Sequence, residues 1–315
     1  MSILIAADSW DAGTWAGLIQ SAEPNRTVAI DIAKTDPAKI RYALVWKPPP
    51  GLLKQLPKLE VIFNLGAGVD AILADESVPK HVPIVRVVDP NLTARMTEWV
   101  VLQVLMQHRR MPMYLEAQRR RTWLDAVDQP PASAVTVGFL GLGVLARDAA
   151  RVLKTLNFNV IGWSRTAKEV EGLRTFSGPD GLSQMLAETD ILVCLLPLTP
   201  DTQGILNAEL FAKLKRSGPL GGPVLINGGR GPEQVEADIL AALDDGTLIG
   251  ASLDVFETEP LPVTSPLWTH PKVIITPHNA ADSDPASLSR YVLRQIGRYE
   301  RGEALENVVN RDLGY

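Results

Sequence analysis

The chain carries a single cysteine, Cys194, among its 315 residues. One thiol excludes a disulfide framework and leaves no basis for a cysteine-built metal site, which fits a reducing compartment. Cys194 lies inside the apolar run ILVCLLP and reads as an inert buried thiol, since cysteine is among the residue types most often buried. Positive charge is not in surplus either. Lys and Arg total 31 against 36 Asp and Glu, a net charge of −5, which argues against a nucleic-acid binder or a polybasic membrane-surface protein. Any anion site must therefore be built locally. No apolar run approaches the ~20 residues of a membrane span, and the opening MSILIAAD lacks the basic region and long apolar stretch of a signal peptide. The expectation is a cytoplasmic protein. Internal repeats and low-complexity tracts are absent as well.

What is present is enough chain for two domains of ordinary size, with 46% hydrophobic residues to fill their cores. Short runs rich in Val, Ile and Leu alternate with longer amphipathic stretches, the pattern of parallel α/β structure. The first series of predicted strands is ILIAA (3–7), TVAIDI (27–32), ALVW (43–46), VIFNL (61–65) and IVRVV (84–88). After the Pro-bearing loop DQPPAS (128–133), a second series runs AVTVGFL (134–140), NVIGW (159–163), ILVCLL (191–196), VLIN (224–227), LIGASLDV (248–255) and KVIITP (272–277). Two series predict two doubly wound parallel-sheet domains. Between them, residues 93–123 read as one long helix or two helices meeting near Pro112. Trp99, Val100, Leu102, Val104, Leu105 and Met106 cover more than one narrow stripe, so this helix should be buried, in the core, in a dimer interface, or in both. Asp284 and Pro285 predict the start of a C-terminal helix over 284–302.

The stretch GFLGLGVLA places Gly141, Gly143 and Ala146 in the pattern G-x-G-x-x-A between a predicted strand and a predicted helix. In a dinucleotide-binding unit Gly141 would permit the tight turn, Gly143 would let the backbone approach a pyrophosphate, and Ala146 would allow close helix packing. The phosphates would sit at the helix N-terminus. About twenty residues on, such units often carry an acid for the ribose 2′-hydroxyl. None is found in VIGWSRTAK. Ser164, Arg165, Thr166 and Lys168 stand there instead. An acid would repel a 2′-phosphate, whereas a guanidinium makes charge-assisted bonds to it worth ~1.5–3 kcal/mol each. The expected cofactor is NADP(H).

Three further segments follow predicted strands: NGGRG (227–231), SLDVFETEPLP (252–262) and TPHNAA (276–281). Ligands gather at the carboxyl ends of the strands in open α/β sheets, so Arg230, Glu259 and His278 are expected to converge. Taken singly each would pass as a surface or structural residue. Together they supply what a 2-oxo acid requires: a bidentate cation for its carboxylate, a proton donor for the developing alkoxide, and a carboxylate to hold that donor protonated.

These motifs resemble the D-isomer-specific 2-hydroxyacid dehydrogenases, most closely the glyoxylate/hydroxypyruvate reductase A branch. The resemblance runs nearly end to end through ALVWKPP, LGAGVD, MTEWVVLQVL, GFLGLGVLA, WSRTAK, LLPLTPDTQGILN, SLDVFETEPLP, SPLWTHPKVIITPHNAA and the closing LGY. It implies a Rossmann nucleotide domain (99–284) and a flavodoxin-like, discontinuous substrate domain (1–98 and 285–315). It implies that Arg230 binds the substrate carboxylate and carbonyl, that His278 is the acid/base, and that Glu259 orients it. The backbone at Ala67, Gly68 and Val69 would help hold the carboxylate, with Trp46 lining the pocket. Asp254 would face the nicotinamide carboxamide, and Pro197 and Thr202 would lie along the cofactor. Leu142, Val144, Leu145, Leu196, Gly228 and Gly229 complete the expected cofactor contacts. The implied reaction is NADPH-dependent reduction of glyoxylate to glycolate or hydroxypyruvate to D-glycerate, in a homodimer, without metal. The alternatives are a nucleotide-sensing binding protein on the same fold and an NAD-linked oxidative 2-hydroxyacid dehydrogenase. One departure stands out: relatives typically read Asn-Leu-Ala-Arg-Gly where this chain has Asn227-Gly228-Gly229-Arg230-Gly231, preceded by the Gly-rich stretch 216–223. The extra glycines are expected to loosen the segment that carries Arg230.

Overall fold

Strands buried on both faces need apolar side chains in both directions of the pleat, and the runs singled out above supply them. The computed structural model describes residues 2–7, 10–125 and 127–315. It divides into one unit of Met1–Leu92 with Asp282–Tyr315 and a second of Thr93–Ala281.

In the first unit, β1 (Ser2–Ala7), β2 (Thr27–Ala29), β3 (Ile40–Trp46), β4 (Val61–Asn64) and β5 (Ile84–Arg86) form a parallel sheet in the order β2-β1-β3-β4-β5. That is the flavodoxin-like order. Successive residues of β1 face opposite cores: Leu4 packs with Val45 and Ile62, Ile3 and Ile5 with Trp15, Phe63 and Val292. Val292 belongs to the helix Pro285–Glu300, which begins where the sequence predicts because the Asp284 carboxylate accepts the Ser287 N–H at 2.7 Å. The strand predicted over 27–32 stops at Ala29, since the Asp31 side chain accepts the Ala33 N–H at 2.9 Å and turns the chain into a short 3₁₀ segment.

The second unit holds β6 (Thr136–Leu140), β7 (Asn159–Ser164), β8 (Arg174–Ser177), β9 (Ile191–Cys194), β10 (Val224–Asn227), β11 (Gly250–Leu253) and β12 (Val273–Ile275). All pair in parallel, in the order β12-β11-β10-β9-β6-β7-β8. The chain lays β7 and β8 on one side of β6 and then crosses back to place β9 on the other. The order reverses between β6 and β9, and ligands bind outside the carboxyl ends at such a point. The edge strand β8 was not foreseen: its sequence RTFS is polar and half exposed, with no apolar run to mark it.

The helical stretch is two helices, Pro90–His108 and Met111–Arg119. They part at Arg110, which is left-handed (φ 59), and Pro112 sits in the first turn of the second, where its missing N–H costs nothing. Met96, Trp99, Val100 and Val104 of the first helix are buried against Val137, Phe139, Val193 and Ile226 of the sheet, each such side chain contributing roughly 1.5–3 kcal/mol. Among the described residues no helix is long and apolar enough to cross a membrane, and no group of three His, Cys, Asp or Glu could hold a metal ion.

Candidate functional site

The segment after β6 turns sharply. Gly141 has φ +96, a left-handed conformation in which a Cβ would also stand 3.0 Å from the Leu195 carbonyl oxygen beyond β9. The Gly141 N–H donates to the Trp163 carbonyl at 2.9 Å. Leu142 is buried and packs on Gly162 of β7, which has no room for a side chain of its own. Gly143 is the N-cap of the helix Val144–Thr155, and the space where its Cβ would stand is open to 4 Å. Val144 and Leu145 form the first turn, whose N–H groups have no partner within the helix, while Ala146 is 1% exposed against the sheet. A cradle open above Gly143, with a twelve-residue helix pointing its N-terminus at it, fits a pyrophosphate.

At the end of β7, Ser164 is buried and its hydroxyl donates to the Thr166 carbonyl at 2.8 Å. Its proton is engaged, so Ser164 shapes the turn that presents Arg165, Thr166 and Lys168, all three exposed. Arg165 Nη1 lies 3.1 Å from Asp201 Oδ2, with the two side chains 39% and 72% exposed. An exposed ion pair is worth only about 0–1 kcal/mol, less than one charge-assisted phosphate bond of ~1.5–3 kcal/mol, so Asp201 does not bar Arg165 from a 2′-phosphate. Asp201 belongs to the turn after β9, which is tied by the Thr202 hydroxyl donating to the Pro197 carbonyl at 2.7 Å and accepting the Thr199 N–H at 2.8 Å.

Beyond β10, the loop of Arg230 is framed by buried polar side chains. Asn227 Oδ1 accepts the Gly229 N–H at 3.0 Å, and its amide donates to Gln234 Oε1 at 2.9 Å. Glu233 accepts the Arg230 N–H at 3.0 Å, and Arg230 Nη1 donates to the Gly229 carbonyl at 2.9 Å. The glycines do not loosen this segment. Neither Gly228 nor Gly229 is left-handed; a Cβ on Gly228 would stand 2.9 Å from Trp99 Cζ3, and one on Gly229 would overlap the Glu233 carboxylate and lie 3.1 Å from the Leu196 carbonyl. A Cβ on Gly231 would overlap the Phe256 carbonyl of the loop that leads to Glu259. In this chain a side chain at these positions would have to displace Trp99, Glu233 or the Phe256 backbone, so the segment is closely packed where a loosened loop was expected.

The loops beyond β11 and β12 bring the remaining pair together. His278 Nδ1 is 2.7 Å from Glu259 Oε2, with both side chains about one quarter exposed (28% and 26%). His278 is itself left-handed (φ 52), and its N–H donates to the Asp254 carbonyl at 2.8 Å. Asp254 is 2% exposed. Its carboxylate accepts the Thr276 hydroxyl at 2.6 Å and the Asn279 and Ala280 N–H groups at 3.1 Å each, so it ties down the loop that carries His278. Burial pushes the Asp254 carboxyl up from its ordinary range, against the pull of those donors and of the nearby His278. Cys194, close to Glu233 at 3.5 Å, is buried, and burial holds its thiol well above the usual range.

In the first unit, the Asn64 amide at the end of β4 donates to the carbonyls of Gly66 and Gly68 at 2.7 and 2.8 Å, fixing the segment Ala67-Gly68-Val69. The Trp46 ring occupies the place a Gly66 side chain would take and stacks on Trp10 at 5.5 Å.

Sequence reasoning missed Asn227, Glu233, Gln234, Thr276 and Trp99 as parts of this frame. One of them left a signal. Glu233 follows Arg230 by three residues, the spacing at which an acid at N3 reaches back to the N-cap N–H, and its carboxylate does accept the Arg230 N–H.

Comparison with known proteins agrees on one family. The sequence model of the D-isomer specific 2-hydroxyacid dehydrogenase NAD binding domain matches residues 101–280. Glyoxylate/hydroxypyruvate reductase A of Photorhabdus laumondii subsp. laumondii is 40% identical over 322 residues, 100% of both chains. The protein of that name from Serratia proteamaculans is 39% identical over 321 residues, again 100% of both. Among solved structures, the NADPH-dependent glyoxylate/hydroxypyruvate reductase of Sinorhizobium meliloti, in complex with NADP and sulfate, is 47% identical with a TM-score of 0.93, covering 100% of this chain and 99% of that one. A D-isomer specific 2-hydroxyacid dehydrogenase from Xanthobacter autotrophicus Py2, in complex with NADPH and MES, is 40% identical with a TM-score of 0.93 over the same shares.

Proposed function

We infer the chemistry from one premise: the chain belongs to the D-isomer specific 2-hydroxyacid dehydrogenase family. It is an NADP-dependent oxidoreductase that reduces short 2-oxo acids, glyoxylate to glycolate and hydroxypyruvate to D-glycerate. The second unit binds the dinucleotide and the first is the substrate domain. The observation that carries this reading is the 2.7 Å pairing of His278 with Glu259 on loops at the same sheet edge as the Arg230 loop and the open cradle over Gly143.

Gly141, Leu142, Gly143, Val144 and Leu145 hold the pyrophosphate, and Arg165 with Thr166 and Lys168 holds the 2′-phosphate, on the turn shaped by Ser164. Leu196, Pro197, Thr202, Gly228 and Gly229 border the rest of the cofactor, and Asp254 braces the wall beside it. When bound, the dihydronicotinamide supplies a hydride to C2 of the substrate. Arg230 holds the substrate carboxylate and the C2 carbonyl oxygen with its planar fork and steadies the negative charge that grows on that oxygen. The backbone of Ala67, Gly68 and Val69 shares the carboxylate, and Trp46 borders the substrate. His278 turns Nδ1 toward Glu259, so its other ring nitrogen, Nε2, is the one that gives the proton to the alkoxide. Glu259, 2.7 Å from Nδ1, holds the ring in that orientation.

The partner is a small 2-oxo acid, with no nucleic acid or membrane partner. The chain is a homodimer joined mainly through its nucleotide units, because Leu102, Met111, Met113, Leu115 and Trp123 leave apolar surface exposed along one stretch; a monomeric mass by light scattering would refute this. It works in the cytoplasm, consistent with its single buried cysteine. The test of the reaction is loss of NADPH absorbance on adding glyoxylate or hydroxypyruvate. Turnover with either supports the reading, and none with a panel of short 2-oxo acids overturns it.

A further inference from the structure

A residue outside the predicted site touches both of its loops. Trp99 is 7% exposed on the helix Pro90–His108. One edge of its indole closes on the Arg230 loop, where Cζ3 would stand 2.9 Å from a Cβ at Gly228. The other edge reaches the His278 loop, where Nε1–H donates to Thr276 Oγ1 at 3.0 Å. Indole can only donate, so the Thr276 hydroxyl must accept there and pass its own hydrogen onward. It does so to Asp254 Oδ1 at 2.6 Å. Asp254 in turn anchors the Asn279 and Ala280 amides and, through its carbonyl, the His278 N–H. His278 needs such support, because a non-glycine residue at φ 52 persists only where its surroundings over-determine it.

We propose that Trp99 is a positioning residue of the reductase, a single rigid side chain that sets the placement of Arg230 relative to His278. Its indole is wedged against Gly228 on one side and hydrogen-bonded toward Asp254 on the other. A shift of the ring therefore moves the carboxylate-binding cation and the proton donor relative to one another. The inference rests on the reaction proposed above.

The test is steady-state kinetics of Trp99→Phe, which keeps an aromatic ring and deletes the N–H. We expect kcat/KM for glyoxylate to fall ~10-fold, with KM for glyoxylate raised and KM for NADPH within about twofold, the size expected when a small misplacement follows the loss of one hydrogen bond. Gly228→Ala should be harmful in the parent chain and much milder on Trp99→Phe, whose smaller ring withdraws the contact, so the two changes should be less than additive. A merely structural role would lower thermal stability without splitting the two KM values or coupling to Gly228. If Trp99→Phe does not fold, Thr276→Val breaks the same chain from the other end, and Thr276→Ser should recover activity that Thr276→Val loses. Unchanged glyoxylate kinetics in Trp99→Phe, additive effects with Gly228→Ala, or equal activity of the two Thr276 variants would overturn the proposal. If the parent chain itself fails to consume NADPH with glyoxylate, the reaction is what fails.

Discussion

Gly141 and Gly143 after β6, and Gly228, Gly229 and Gly231 after β10, lie at the same edge of one sheet, yet the two groups exist for different reasons. Gly141 is asked for a backbone conformation, φ +96, and Gly143 for open space. The second group has ordinary backbone angles and no space at all: Trp99, Glu233 and Phe256 occupy what a side chain would need. The first loop leaves space above its backbone. The second is packed against the protein itself, so that Arg230 is held rather than hung from a flexible tether. A glycine-rich stretch in a sequence can therefore mark a ligand cradle or a crowded joint, and only its neighbours decide which.

The contrast predicts that damage on the two sides will separate in the kinetics. The largest effect is on the side of the chemistry. His278→Ala should slow glyoxylate reduction by ~10²–10⁴-fold, the usual range for removing a general acid, while KM for NADPH stays near that of the parent chain. A near-normal kcat would move the proton donor elsewhere.

Matched alanine substitutions sharpen the comparison at smaller scale. Gly229→Ala pushes a methyl into the Glu233 carboxylate that caps Arg230, an overpacking that costs ~1–3 kcal/mol. It should lower the melting temperature by several degrees and kcat/KM for glyoxylate by roughly tenfold or more. Gly143→Ala enters empty space at φ −79. It should leave stability within about 1 kcal/mol of the parent chain, the gain from a stiffer unfolded chain being offset by alanine's poorer fit at an N-cap, while raising KM for NADPH roughly tenfold, as the methyl takes room from a phosphate contact. Melting curves and initial rates of both variants decide, and the same pattern in both would erase the distinction.

The smallest effect lies away from both loops and serves as their baseline. His108 is 4% exposed, edge-on to Phe158 at 5.1 Å, and its Nδ1 has no hydrogen-bond partner among the described residues. Burial first, then Arg109 and Arg110, hold its pKa below the ordinary histidine range. The unfolded chain therefore takes up a proton before the folded one does, and stability is lost as pH falls from about 6.5 through the lowered folded value. His108→Leu should flatten the fall of melting temperature between pH 7 and 5 by roughly 2–4 °C, with no change in either KM. An unchanged slope would mean that His108 does not titrate in that window.

Much of the fold was legible because the signals are local. Apolar runs became strands, Asp284 and Pro285 opened the C-terminal helix, and the helical stretch broke within two residues of Pro112. Strand β8 was hidden because a polar edge strand needs no apolar run, and β2 ended early because Asp31 competes for the backbone. In the site, residue types and their place after strands pointed to Arg230, Glu259 and His278, but not to what holds them. Trp99 bonds to a hydroxyl 177 positions away, and the crowding at Gly228, Gly229 and Gly231 comes from residues that no spacing rule brings near. Packing of that kind is a property of the folded chain, not of any window of it.

The central claim is a reductase whose cofactor choice is written at Arg165, where relatives that prefer a 2′-hydroxyl would carry an acid. The most direct measurement is kcat/KM for NADPH and for NADH with saturating glyoxylate. NADPH should be favoured by roughly a hundredfold, the order of one or two charge-assisted phosphate contacts. Equal use of the two cofactors, or a preference for NADH, would contradict the account.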